Sequence, residues 1–103
     1  MSRVFAIGDV HGCLTALQRL DKELAFGPED KVIALGDYID RGPDSKGVID
    51  YLISLGRRAR LVTLRGNHEV MMLAARTSGV DYMLSWLGVG GEATMVSYNA
   101  KNW

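Results

Sequence analysis

The sequence predicts an α/β fold, a parallel sheet whose strands alternate with helices in the order βαβαβα. Short apolar runs of strand type alternate with stretches in which apolar residues recur at helical spacing. The strand-like runs end about 28 to 30 residues apart, a separation typical of βαβ units with a crossover helix. We therefore expect the carboxyl ends of all three strands to open at one edge of the sheet.

The first strand is predicted over Val4–Ile7, an apolar run that Gly8 ends. A helix is expected to follow, because four leucines recur at helical spacing before the breaker at Gly27 and Pro28. These leucines are Leu14, Leu17, Leu20 and Leu24.

The next two strand–helix pairs follow the same pattern. A strand is predicted over residues 31–35, and the helical spacing over residues 48–55 predicts a helix with Gly56 at its end. Residues 60–64 form the third strand-like run, and a third helix is expected to begin near His68. Beyond residue 78 the pattern weakens to a short apolar helix, a glycine-rich turn and another short helix.

The composition is that of an ordinary globular domain, with 48% apolar and 23% charged residues. The formal net charge of +0 gives no overall attraction to nucleic acid or to an anionic membrane, so neither is expected as a partner. The apolar runs fall short of the roughly 18 residues that a membrane-spanning helix needs. Asp9 and His11 interrupt the first apolar run too early for the apolar core of a signal peptide. We expect one domain over residues 1–103, located in the cytoplasm.

Three polar clusters framed by glycine follow the three strand-like runs. They read GDVHG from residue 8, GDYIDRG from residue 36 and GNHE from residue 66. Asp9 and His11 are two residues apart, so both can point the same way from an extended segment. A carboxylate and an imidazole suit a borderline divalent metal such as Mn, Fe or Zn. Ligand chemistry in parallel sheets gathers beyond the carboxyl ends of the strands, which favours one shared site.

Each polar residue taken singly also has an ordinary structural interpretation. Asn67 suits a turn or a helix N-cap, and Asp37 suits a turn. Glu69 is favoured in a first helical turn by the helix dipole, and Arg41 alone is most often a solvated surface residue. The combination of three clusters, each directly after a strand, favours the functional interpretation.

The three clusters resemble the signature boxes of the phosphoprotein phosphatase family of metallophosphoesterases, in order and spacing over residues 4 to about 70. The segment WLGVGGEAT, from residue 86, is similar to the segment that follows in the bacterial serine/threonine phosphatases of this family. The symmetrical diadenosine tetraphosphate hydrolases share the same boxes. The resemblance implies a calcineurin-like metallophosphoesterase sandwich, of which this chain matches the amino-terminal half.

The resemblance also implies two divalent metals, manganese first and iron or zinc as alternatives. Asp9 and His11 would hold one metal, and Asp37 would bridge to a second metal that Asn67 also ligates. The implied reaction is hydrolysis of phosphoserine or phosphothreonine monoesters by a hydroxide bound between the metals.

Three further residues receive roles from the resemblance. His68 would donate a proton to the leaving oxygen, and Asp40 would orient His68. Arg41 would grip the phosphoryl oxygens, with Asn67 and His68 also contacting the substrate phosphate.

The family pattern continues beyond residue 103 with further strands and two more histidine ligands. His11 and His68 are the two histidines of this chain, so Asp37 and Asn67 alone would hold the second metal, and its full occupancy is not expected. Three hypotheses stay open: a phosphatase acting on a phosphoprotein or a small phosphoester, a diadenosine tetraphosphate hydrolase relative, and a truncated non-catalytic module that binds metal or a partner.

The missing half of the family's fold would also cover apolar surface. We therefore expect four apolar side chains to be partly uncovered in a lone monomer: Val80, Met83, Trp86 and Leu87. Large exposed apolar patches usually find partners, so self-association is expected.

Overall fold

Strands and helices alternate through the first two thirds of the chain, as the sequence predicts. The computed structural model describes residues 2–100. The elements in chain order are β1 (Val4–Ile7), α1 (Leu14–Leu24), β2 (Lys31–Ala34), α2 (Ser45–Leu55), β3 (Arg60–Thr63), α3 (Asn67–Thr77), α4 (Val80–Trp86) and α5 (Glu92–Ser97). A wide, kinked turn over Leu87–Gly91 joins α4 to α5.

The three strands form one parallel sheet in the order β1-β2-β3. The register pairs Ile7 with Ala34, and Ala34 with Thr63. The three carboxyl ends are therefore level, and the segments that follow them leave the sheet at the same edge. The α/β fold with a parallel sheet and alternating helices is confirmed.

The two faces of the sheet differ in how far they are covered. Val32 and Ala34, which alternate onto one face, are fully buried and share a core cluster with Leu17 of α1 and Val48 of α2. The opposite face, which we call the open face, carries Val4, Ala6, Ile33 and Val62. Val4 is 70% exposed and Val62 is 41% exposed. The described residues therefore cover one side of the sheet and leave apolar groups uncovered on the other.

The expected exposure of the α4 region is confirmed at three positions and wrong at one. Val80 is 70% exposed, and Met83 and Leu87 are half-buried. Trp86 is fully buried, because its ring packs on the backbone of Gly91 and its indole N–H is satisfied inside by the carboxylate of Asp40. None of the helices in residues 2–100 combines the length and the apolar character that crossing a bilayer requires.

Candidate functional site

The loops after the three strands contact one another through their backbones. The N–H groups of Val10 and His11 both donate to the carbonyl oxygen of Asp37, at 3.1 and 2.9 Å. Gly36 lies so close to the third loop that a Cβ there would sit 2.5 Å from the backbone nitrogen of Gly66. The fold therefore brings the three polar clusters together at one edge of the sheet.

Asp9, His11 and Asp37 form a group that can hold a metal ion. One ligand atom from each lies within 4.8 Å of the others, and His11 Nε2 is 4.0 Å from Asp9 Oδ2. His11 Nδ1 is 2.8 Å from the carbonyl oxygen of Ile39. A carbonyl only accepts, so Nδ1 carries the proton and Nε2 has its lone pair free for a metal. Two carboxylates and a neutral imidazole fit a borderline divalent cation.

Four residues of these loops have positive backbone φ angles, which is uncommon for residues other than glycine. The angles are 44° at His11, 57° at Asp37, 76° at Asp40 and 71° at Arg41. Such a conformation costs about 1–2 kcal/mol per residue and persists where surrounding contacts enforce it. Strained backbone of this kind is typical of functional sites.

His68 and Asp40 form a buried pair beside the metal-binding group. His68 Nδ1 lies 2.7 Å from Asp40 Oδ2, and the two residues are 7% and 0% exposed. The His68 ring stands edge-on to the His11 ring, with centroids 4.5 Å apart. The sequence-predicted proton donor, its orienting carboxylate and a predicted metal ligand are thus in direct contact.

Arg41 and Asn67 lie at the surface of the same region. The Arg41 side chain is exposed, and its Nε donates to the carbonyl oxygen of Val89 at 3.3 Å. It borders an open cleft of ≈ 540 Å³.

Asn67 is the exposed first residue of α3, and the backbone N–H of the next residue, His68, donates to Asp37 Oδ1 at 2.9 Å. Gly66 is the N-cap of α3, so the N-cap interpretation of Asn67 is wrong.

Glu69 has a larger role in this structure than the sequence indicated. Its Oε1 accepts hydrogen bonds from the backbone N–H groups of Asp37 and Gly66, at 2.7 and 2.9 Å. Its Oε2 accepts from the N–H of Tyr38 at 2.9 Å. One carboxylate thus joins the second loop to the start of α3. A first-turn glutamate signals the local bond to Gly66, but no local pattern signals the bonds to Asp37 and Tyr38.

Trp86 and Thr94 also reach the site, although the sequence analysis assigned them no part in it. Trp86 Nε1 donates to Asp40 Oδ2 at 2.8 Å, and Thr94 Oγ1 donates to Asp40 Oδ1 at 2.7 Å. Both residues belong to the WLGVGGEAT segment, whose similarity to known phosphatases was the only signal available.

This fold and this site define a metallophosphoesterase domain. The sequence model of the calcineurin-like phosphoesterases matches residues 2–100. The chain belongs to the calcineurin-like phosphoesterase family.

Two groups of relatives are similar in sequence. The chain is 41% identical over 90 residues to serine/threonine-protein phosphatase 1 of Salmonella typhimurium, a match that covers 86% of this chain and 39% of the relative. It is 44% identical over 71 residues to the symmetrical bis(5'-nucleosyl)-tetraphosphatase of Pectobacterium carotovorum, covering 68% of this chain and 25% of the relative. The chain therefore spans well under half the length of either relative.

One solved structure supports the fold. A protein provisionally identified as a diadenosine tetraphosphatase superimposes with a TM-score of 0.61 at 23% sequence identity. The superposition covers 93% of this chain and 46% of that protein. The described elements thus correspond to about half of that protein's fold.

Proposed function

We propose that this site is the ester-cleaving centre of a metal-dependent phosphoesterase that acts on phosphoserine and phosphothreonine monoesters. The observation that carries the proposal is the contact between the His68–Asp40 pair and the metal-binding group, with the rings of His68 and His11 4.5 Å apart. A leaving alkoxide must gain a proton as its bond to phosphorus breaks, and a histidine held beside a cation site is suited to provide it.

In this proposal Asp9, His11 and Asp37 hold one divalent metal, and Asp37 with Asn67 contributes to a second. Manganese is the first candidate, with iron and zinc as alternatives. A bound divalent metal acts as a Lewis acid toward phosphoryl oxygens and lowers the pKa of a water molecule.

The other site residues bind the phosphate and move a proton. The His68 Nδ1–H donates to the buried Asp40 carboxylate, which leaves Nε2 to deliver a proton to the leaving oxygen. The proton delivered is the one on Nε2 of the doubly protonated ring, and Asp40 holds that ring in place through Nδ1. Arg41 offers a forked guanidinium to the phosphoryl oxygens, with Asn67 and His68 as further phosphate contacts.

Two other candidate functions each rest on a specific observation. Hydrolysis of dinucleoside tetraphosphates is supported by the 44% identity to a tetraphosphatase, whereas the match to the phosphatase extends further, over 90 residues. A non-catalytic module that binds metal or a partner is supported by the group of Asp9, His11 and Asp37, which can hold a cation without any turnover.

The test compares two substrates with the manganese-loaded chain, a phosphoserine peptide and diadenosine tetraphosphate. We expect phosphate release from the peptide, and at least about a 100-fold loss of rate in Asp37→Asn. Asp50→Asn is the matched control, because Asp50 is an exposed α2 residue paired with Lys46.

Each other result supports a different candidate. Turnover of the dinucleotide alone favours the tetraphosphatase function, and metal binding without turnover of either substrate favours the non-catalytic module. Equal rates in Asp37→Asn and Asp50→Asn would refute the proposed centre. The cytoplasmic location stays a prediction.

A further inference from the structure

The carboxylate of Asp40 is held by two residues from the carboxyl-terminal part of the described chain. Trp86 Nε1 donates to Oδ2 at 2.8 Å, the same oxygen that His68 Nδ1 contacts at 2.7 Å. Thr94 Oγ1 donates to Oδ1 at 2.7 Å. Asp40 and Trp86 are fully buried and Thr94 is 2% exposed. Donors on both oxygens therefore prevent the carboxylate from turning away from His68.

The protons in this cluster can be assigned by elimination. Thr94 has one hydroxyl proton, which goes to the Asp40 carboxylate. Ser45 Oγ, 3.0 Å from Thr94 Oγ1, must then be the donor between the two hydroxyls. Both hydroxyl oxygens also accept from the backbone N–H of Asp40, at 2.8 Å from Thr94 and 3.1 Å from Ser45. Thr94 thus holds both the side chain and the positive-φ backbone of Asp40.

The glycine-rich turn before Thr94 is shaped to keep these contacts. A Cβ at Gly91 would overlap the Trp86 indole, so the ring packs directly on the backbone there. The backbone carbonyl of Gly90 accepts from the N–H of Arg41 at 3.0 Å, and Gly90 has a φ of 110°. The turn therefore supports Asp40 through Trp86 and supports its neighbour Arg41 directly.

We propose that Trp86 and Thr94 are positioning residues that act on His68 through Asp40. With the carboxylate fixed, the Nδ1–H of His68 stays directed at Asp40, and Nε2 faces the leaving oxygen, to which it donates the second proton of the imidazolium ring. This inference rests on the proposed phosphoesterase function for its kinetic consequence, whereas the effect on the His68 ring does not require turnover.

The kinetic test compares phenyl phosphate with p-nitrophenyl phosphate in the manganese-loaded chain. Phenolate is the poorer leaving group, so its departure depends more on a correctly placed proton donor. We expect Thr94→Val and Trp86→Phe to lower kcat for phenyl phosphate about 10- to 100-fold more than kcat for p-nitrophenyl phosphate. Thr94→Ser, which keeps the hydroxyl, restores the wild-type ratio. Thr77→Val is the control, because Thr77 is an exposed residue at the end of α3.

A purely structural role predicts a different result. Misfolding or loss of metal lowers kcat for both substrates by the same factor, and an equal loss in Thr94→Val would overturn the inference. Failure of Thr94→Ser to restore the ratio would overturn it as well.

A second measurement separates this inference from the proposed function. The ring ¹⁵N resonances of His68, recorded on the metal-free protein at one alkaline pH, report which nitrogen carries the proton. We expect the Nδ1–H form in the wild type, in Thr94→Ser and in Thr77→Val, and a mixture of both forms in Thr94→Val and Trp86→Phe. A wild type without turnover but with this pattern contradicts the proposed function and supports the positioning role. An unchanged Nδ1–H form in Thr94→Val and Trp86→Phe overturns the positioning role.

Discussion

The carboxylate of Glu69 accepts a hydrogen bond from the backbone N–H of Asp37 at 2.7 Å, across a sequence separation of 32 residues. The same side chain accepts from the N–H groups of Tyr38 and Gly66. These bonds connect the loop after β2 to the first turn of α3. Asp37 is proposed as a ligand of both metals, so Glu69, which holds the backbone of Asp37, would help to position that ligand.

We predict that Glu69→Gln lowers the free energy of unfolding by about 1–3 kcal/mol, because an amide has one acceptor oxygen where the carboxylate has two. Urea unfolding followed by circular dichroism measures the change. Glu23→Gln, at an exposed position of α1, is the control and should change the stability by less than about 0.5 kcal/mol. Equal stability of the two variants would show that the hydrogen bonds of Glu69 to the second loop do not stabilise the fold.

Two glycines of the signature boxes should respond very differently to substitution by alanine. Gly36 has a φ of 112°, and a Cβ there would meet the backbone of Gly66 at 2.5 Å, whereas a Cβ at Gly8 would meet nothing within 4 Å. We predict that Gly36→Ala destabilises the fold by more than about 2 kcal/mol. Gly8→Ala should be near neutral, within about 0.5 kcal/mol. Thermal unfolding of both variants provides the measurement, and a harmless Gly36→Ala would show that the two loops are not in close contact.

The ion pair between Arg3 and Asp30 predicts a pH dependence of stability. The Arg3 guanidinium binds both Asp30 oxygens, at 3.0 and 2.8 Å, and these bonds, with the N–H of Gly27, lower the pKa of Asp30 to about 2. A carboxylate with a lowered pKa in the folded state stabilises the fold fully above its unfolded pKa. That contribution is lost as the pH falls through the folded value.

We therefore expect the difference in unfolding free energy between wild type and Arg3→Gln to be constant above about pH 5 and to shrink as the pH falls from about 4 to 2. Urea titrations at several pH values measure it. For Arg19→Gln, at an exposed site on α1, the difference in unfolding free energy from the wild type should not change with pH. A wild-type advantage that persists at pH 2 would be inconsistent with the ion pair as its source.

The open face of the sheet predicts self-association. Val4 and Val62 are 70% and 41% exposed on it, and the formal net charge of +0 offers no long-range repulsion between copies. Light scattering after size-exclusion chromatography should show a dimer fraction that rises with protein concentration. We expect this fraction to be smaller in Val62→Lys. Val96→Lys, on α5 rather than on the sheet, is the control. A clean monomer at high concentration would rule this prediction out.

The strands and their order along the chain were predictable because short apolar runs ended by glycine are a short-range signal. The predicted strand over residues 31–35 is observed over Lys31–Ala34, and that over residues 60–64 is observed over Arg60–Thr63. The contact between His68 and Asp40 was expected from the family resemblance and not from spacing. Parallel strand ends place such residues at one edge of the sheet, but they do not specify pairs.

The remaining features depend on contacts between distant parts of the chain. Trp86 lies 46 residues from Asp40 in sequence, and its helical spacing says nothing about which group its indole N–H will meet. Its burial was therefore mispredicted. The roles of Glu69 and Thr94 were missed for the same reason, because each becomes visible only when the loops are brought together.

The amount of manganese that the chain retains tests directly whether Asp9, His11 and Asp37 bind a metal. Purified chain would be incubated with manganese, desalted and analysed for metal per chain, beside Asp37→Asn and the exposed control Asp50→Asn. We predict at least one manganese ion per chain in the wild type and in Asp50→Asn, and a loss of manganese in Asp37→Asn. Wild-type chain that retains no manganese, or that retains no more than Asp37→Asn, would contradict this prediction.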